Sequence, residues 1–196
     1  LRISRENKIA PSPANEKKII SEINKLPDHD LVVVSDYNKG FLTKNIFLAL
    51  EKRFWKNKII ANFKPANANL FKNILALTHN LKEAKEIIGI IATDNKSAEK
   101  AAIALGKKFS SSIILTRGDQ GMTIWEKGDN VCHLLAQAVK LIDVTGASDT
   151  VVSVVALMLA SGSNIIEAAT LANKVAGLVV GKEGTATIFA NELEKL

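Results

Sequence analysis

At 196 residues and 47% hydrophobic content the chain can bury a sizeable core, which excludes a disordered polymer and favours one domain or one large lobe. Its formal charge of +6 is spread over short runs, "EKK", "EKRFWKNK", "KEAKE" and "GKK", so it reads as a lysine-rich solvated surface that helps to steer small anions, not as a nucleic-acid footprint. The uncharged runs 131–139 and 150–166 are too short and too interrupted, respectively, to cross a bilayer; no signal peptide opens the sequence, and a lone Cys132 with scattered His29, His79 and His133 argues against an internal disulfide and against cysteine or histidine metal sites.

In chain order, "NEKKIISEINKL" carries Ile19, Ile20, Ile23 and Leu26 at helical spacing and is stopped by Pro27, predicting an amphipathic helix. "LVVVSDY" is a continuous β-branched run and predicts a strand buried on both faces of a parallel sheet. Thr43 caps a helix over "KNIFLALEKRFW", while "KIIANF" and "ILALT" predict further strands with irregular "KPANANLFKN" between them. A short helix after Asn80 turns Leu81, Ala84, Ile87 and Ile88 inward, and another over about 95–108 carries Ala98, Ala101, Ala102 and Leu105. "SSIILT" predicts a buried strand, and the turn clusters "GDQG" and "KGDN" around "MTIWE", followed by "VCHLL", predict an antiparallel meander at a sheet edge. Two long helices close the chain. The first, over uncharged "VVSVVALMLA", reads as fully buried, and the second opens on a capping box of Asn164 and Glu167 and stops at Gly181.

This alternation predicts an α/β layered fold with a mainly parallel sheet flanked by helices, in which ligands gather at the carboxyl ends of the strands. "SDYNKG", "THNLKE" and "TRGDQG" fall at or just after such ends. The richest polar cluster is "DVTGASDT", immediately before the uncharged helix. Gly146 permits a tight turn, and the amides of Ala147, Ser148 and Asp149 would point forward as unpaired donors, an arrangement suited to an anion. Asp149 could there accept a proton from an attacking hydroxyl. Simple capping of the helix by Asp149 is the competing reading of the same residues.

"DVTGASDT" resembles the "DVTGAGDT" signature of the ribokinase-like carbohydrate kinases, and "THNLKE" contains the Asn-x-x-Glu motif of that family. "SDYNKGFLT", "TRGDQGM", "QAVKLIDVTG" and "ANKVAGLVVGKEGTATI" are similar, in order, to its heptose-7-phosphate kinase branch, whose members are fused to an ADP-heptose synthase. The resemblance implies that 1–196 is a single domain, the C-terminal nucleotide-binding portion of a ribokinase-like kinase domain, with the opening strands, glycine-rich sugar-binding stretch and β lid missing. It implies a cytoplasmic enzyme that uses ATP and Mg2+ to phosphorylate D-glycero-D-manno-heptose 7-phosphate at the anomeric hydroxyl, giving the 1,7-bisphosphate for lipopolysaccharide core synthesis. Its partners would be the sugar phosphate and ATP, with no nucleic acid and no membrane, and a homodimer is allowed in the intact protein. A kinase for another sugar or nucleoside, and a truncated, inactive nucleotide-binding remnant, are the alternatives.

Position by position, the resemblance makes Asp149 the catalytic base and Gly146, Ala147 and Ser148 the anion hole. It places Asn80, Leu81, Lys82, Glu83, Thr116, Gly118, Gly121, Asn173 and Gly177 at ATP, with Asn80 and Glu83 also organising the metal through water. It places Asp36, Lys39 and Lys64 at the sugar phosphate. Read without it, Asp149 is open to helix capping, Glu83 to a solvated place in the first turn of its helix, Thr116, Gly118, Gly121, Asn173 and Gly177 to turn chemistry and helix packing, and Asp36, Lys39 and Lys64 to a strand-end turn with exposed charges. The sequence departs from the pattern in Ser148, where the family has glycine, and in "NFKPAN" for "DPKG", which puts Asn62 in place of an acid and Pro65 in place of a glycine.

Overall fold

Ser12 opens the first helix, α1 (Pro13–Lys25), by accepting the Asn15 amide, and the proline in its first turn has no amide to leave unpaired. The computed structural model that shows this describes residues 8–128, 130–137 and 141–193. The alternation continues with β1 (Val32–Asp36), α2 (Lys44–Phe54), β2 (Ile59–Phe63), β3 (Ala76–Asn80), α3 (Leu81–Ile88), α4 (Asn95–Phe109), β4 (Ser112–Thr116), β5 (Met122–Glu126), β6 (Asn130–Leu134), α5 (Ala147–Ala160), α6 (Ile165–Val180) and the short α7 (Ala190–Leu193). Thr43 caps α2 as read from the sequence. Asn164 and Glu167 close a capping box at α6. The irregular stretch after β2 is a 3-10 turn, Pro65–Leu70.

One six-stranded sheet runs in the order β1-β2-β3-β4-β5-β6. The first four strands are parallel and the last two antiparallel, which is the expected meander at one edge. The period of two along each strand sorts side chains into two layers. Ile59, Ala61, Phe63, Leu77, Ile113, Leu115 and Trp125 pack under Phe47 of α2, Ala84 of α3 and the alanine stripe of α4. Ile60, Ala76, Ile114 and Ile124 point the other way, onto Val151, Val152 and Val155 of α5 and Ala168, Ala169 and Ala172 of α6. Because the parallel strands all end on one edge of this sandwich, whatever follows them is collected there.

Two burial expectations are corrected. β1 is the outer strand of the sheet and is covered on one face only: Val34 is buried, whereas Val33 is 41% exposed. A β-branched run shows affinity for a pleated, apolar environment but does not show whether a strand lies beyond it. Nor is α5 fully buried. It seats Val151, Val152, Val155 and Ala156, and leaves Leu157 71% exposed. No helix among the described residues is long and apolar enough to cross a membrane.

Candidate functional site

The turn before α5 is built by backbone. The Asp143 carboxylate accepts the Thr145 amide at 2.8 Å, and hydrogen bonds from the Thr145 side chain, then its amide, then the Gly184 amide hold the carboxyl below its ordinary pKa. The amides of Ile142 and Asp143 donate to the Val180 carbonyl at the end of α6. Gly146 then takes φ +84°, the left-handed conformation that glycine adopts without strain, and starts the helix. Ser148 lies inside the first helical turn and is not among the positive-φ residues, so a serine at this position costs the turn nothing in backbone strain. Of the three forward amides expected, that of Ala147 is used by the Val144 carbonyl at 3.2 Å. The amides of Ser148 and Asp149 head the helix, which no side chain caps.

Asp149 does not cap α5, then; its carboxylate points to the end of β1. Oδ2 accepts the Tyr37 hydroxyl at 2.5 Å, and Oδ1 accepts the Ser35 hydroxyl at 3.3 Å. Ser35 and Tyr37 are two residues apart, so the strand period puts both on the α5 side of the sheet. Sequence reasoning passed over both, although they stand inside the quoted "SDYNKG"; their two-residue spacing was the available signal. The aspartate between them is turned away. Asp36 accepts the Asn38 amide at 3.0 Å and the Asn67 side-chain amide at 2.5 Å, and so braces the loops after β1 and β2.

Lys64, just past β2, reaches across to Glu83, with Nζ 2.6 Å from Oε1, and also lies 6.0 Å from the centroid of the Tyr37 ring. Asn80 and Glu83 form a capping box at α3: the Asn80 side chain accepts the Glu83 amide at 2.9 Å and Glu83 Oε2 accepts the Asn80 amide at 3.2 Å. His79 Nδ1 is 3.5 Å from the same Oε2, and its buried ring stands edge-on to Phe63. Burial by itself would raise the Glu83 carboxyl, but His79, Lys64 and the Asn80 amide outweigh it and bring its pKa down to about 2. Leu81 packs against the core, Lys82 is exposed, and Thr116, paired with Asn80 across β3 and β4, donates to the His79 carbonyl at 3.3 Å. Asn62 is committed to Thr78, donating to its carbonyl at 3.0 Å and to its hydroxyl at 3.1 Å.

This donor set does not fit a divalent ion held directly by protein. The Asn80 and Glu83 pair offers one carboxylate, whose charge the Lys64 ammonium already balances, and one amide oxygen, and no cluster of three metal-ligating side chains occurs among the described residues. The lowered Glu83 pKa has a stability consequence. A depressed carboxyl stabilises the fold above its unfolded pKa of 4.5 and loses that contribution as pH falls toward about 2. Urea midpoints measured from about pH 6 down to about pH 2 should therefore fall by an amount worth about 3 kcal/mol at most, and the corresponding slope should be missing from Glu83→Gln.

Gly121, Asn173 and Gly177 converge on one segment. A Cβ on Gly121 would sit 1.9 Å from the Leu134 carbonyl oxygen, Asn173 donates to the Leu135 carbonyl at 2.7 Å, and a Cβ on Gly177 would lie 3.1 Å from that of Gln137. All three hold the chain as it leaves β6. Gly118 opens the 3-10 turn after β4 with free space around it. Lys39 is exposed and lines a groove of about 390 Å³ with Ile9, Pro11, Asn15, Lys18, Ile19 and Phe41, none of which belongs to the Asp149 cluster.

Residues 31–192 match the family model of the pfkB family carbohydrate kinases. A bifunctional protein HldE from Desulfatibacillum aliphaticivorans is 38% identical over 198 residues, covering 99% of this chain and 40% of that protein. Another from Vibrio parahaemolyticus is 38% identical over 169 residues, covering 86% of this chain and 35% of that protein. The chain thus spans about two fifths, 40% or less, of the length of these two curated relatives. Phosphofructokinase-2 from Escherichia coli, solved with potassium, superposes with a TM-score of 0.79 at 17% identity, over 95% of this chain and 62% of that one. A ribokinase from Arabidopsis thaliana, complexed with ribose and ATP, gives 0.73 at 16% identity, over 97% and 60%. The layered α/β fold expected from the sequence is the fold of these structures.

Proposed function

The chain belongs to the pfkB family of carbohydrate kinases, and from that premise we propose that its strand-end site transfers the γ-phosphoryl group of ATP to a hydroxyl of a sugar phosphate, with D-glycero-D-manno-heptose 7-phosphate as the acceptor. The observation that carries the reading is the direction of Asp149: a carboxylate in the first turn of a helix that is turned away from its own amides and held at the strand ends. The heptose assignment draws on the 38% identity to bifunctional HldE proteins and on "SDYNKG", which supplies the two hydroxyls that hold the carboxylate.

In the reaction the acceptor hydroxyl hydrogen-bonds to Asp149, which takes its proton as the sugar oxygen attacks the γ-phosphorus. The bond from that phosphorus to the bridging oxygen breaks, and ADP leaves. The Ser148 and Asp149 amides, with the positive end of the α5 dipole, face the charge that builds on the transferring group. Lys64, fixed by Glu83, supplies a point charge for a phosphate beside the base. A metal step is not part of this derivation, because the one carboxylate of the Asn80 and Glu83 pair is already balanced by Lys64.

The test is a phosphoryl-transfer assay on the intact gene product with ATP and a panel of acceptors: heptose 7-phosphate, fructose 6-phosphate, ribose and adenosine. Heptose 7-phosphate should give the highest kcat/KM. Preference for another acceptor would replace the heptose assignment, and absence of both turnover and ATP binding at millimolar nucleotide would favour a non-catalytic remnant.

A further inference from the structure

We infer that Tyr37, assisted by Ser35, is the positioning residue for Asp149, fixing the carboxylate toward the acceptor instead of toward its own helix. The inference deepens the kinase reading and rests on it. An aspartate in a first helical turn has unpaired amides within reach and ordinarily turns to them. Here the phenol at 2.5 Å from Oδ2 and the Ser35 hydroxyl at 3.3 Å from Oδ1 hold it off, one donor to each oxygen. Each oxygen keeps a second lone-pair direction, so the acceptor hydroxyl can be received without displacing either donor.

Tyr37 is suited to this because its own place is set at the other side of the ring. It is 52% exposed, and little packing would hold it by itself. Its ring lies 6.0 Å from the Lys64 ammonium, which is tied at 2.6 Å to the buried Glu83 carboxylate. The chain Glu83, Lys64, Tyr37, Asp149 thus joins the ends of β1, β2 and β3 to the start of α5. The two charged groups that face Tyr37 are Asp149 and Lys64.

Two measurements test this on the intact gene product. In steady-state kinetics, Tyr37→Phe keeps the ring beside Lys64 and removes only the hydroxyl, so kcat should fall about tenfold while KM for ATP stays within about twofold and Tm is unchanged. Ser35→Ala, which removes the longer contact, should lower kcat by about two- to threefold. Wild-type kcat in Tyr37→Phe overturns the inference, and so does a fall in Tm or a rise in KM for ATP that tracks the loss of kcat. If Tyr37→Phe is silent while Asp149→Asn is inactive, only the positioning role fails; if Asp149→Asn keeps its turnover, the base assignment fails.

The second measurement needs no activity. Tyr37 is the single tyrosine of the sequence, and the Asp149 hydrogen bond, with partial burial behind it, pushes its phenol above the ordinary value of 10.0. The difference in tyrosinate absorbance between the unsubstituted protein and Tyr37→Phe isolates that phenol during a pH titration. Asp149→Ala, which removes the acceptor as well as the charge, should bring its ionisation down toward about 10. A titration that Asp149→Ala leaves unmoved overturns the contact.

Discussion

Asp149→Asn in the intact gene product should lower kcat by roughly 10²–10⁴-fold, the range lost when a positioned general base is removed. Asparagine keeps the size and planarity of the side chain and can still accept the Tyr37 hydroxyl, so the turn and the helix should stand. The backbone of the turn, Gly146 at φ +84° and the first amides of α5, is untouched. Nucleotide binding, measured by calorimetry, should therefore survive while turnover is lost. Undiminished turnover would remove Asp149 from the base role, and a parallel loss of ATP affinity would show that the carboxylate supports the turn and not the chemistry.

The largest expected effect on stability belongs to Gly121→Ala. Gly121 holds φ +83° and ψ −128°, a conformation that is costly for any residue with a Cβ. The added carbon would also stand 1.9 Å from the Leu134 carbonyl oxygen and 2.6 Å from the Ala136 amide nitrogen, both backbone atoms that cannot rotate aside. Strain and overlap each cost about 1–3 kcal/mol, so a loss of about 3–5 kcal/mol is expected, a large share of a domain's stability. Gly89→Ala is the control: its φ of +75° carries the backbone penalty, but nothing lies within 4 Å of the new carbon. It should cost only about 1 kcal/mol by urea denaturation. Equal losses for the two variants would show that the backbone conformation, and not the approach of residues 134–136, sets the requirement for glycine.

Glycines and caps were legible in the sequence because they act within a few residues. The Asn164 and Glu167 box and the Thr43 cap are both present as read. The same locality leaves Asn80 and Glu83 ambiguous: the spacing that fits a phosphate-site motif is also the spacing of a capping box, and in the structure the box is made, with Glu83 buried where a solvated first-turn residue was the alternative. Gly121, Asn173 and Gly177 were picked out as nucleotide residues, and in the structure each holds the segment leaving β6. Nothing in their own neighbourhoods along the chain names that segment.

The sequence by itself determined the alternation of strands and helices, the antiparallel meander and the collection of the polar motifs at strand ends, since hydrophobic period and turn chemistry are set locally. Only the tertiary structure decided which way Asp149 turns, away from its own helix and toward the end of β1. Its partners Tyr37 and Ser35 lie 112 and 114 residues away, and they reach it through the parallel register of β1 and the seat of α5 on the sheet. The tertiary structure likewise made β1 the outer strand and left Leu157 of α5 in the open, because what covers an apolar side chain depends on which elements stand beside it, a property no single segment carries.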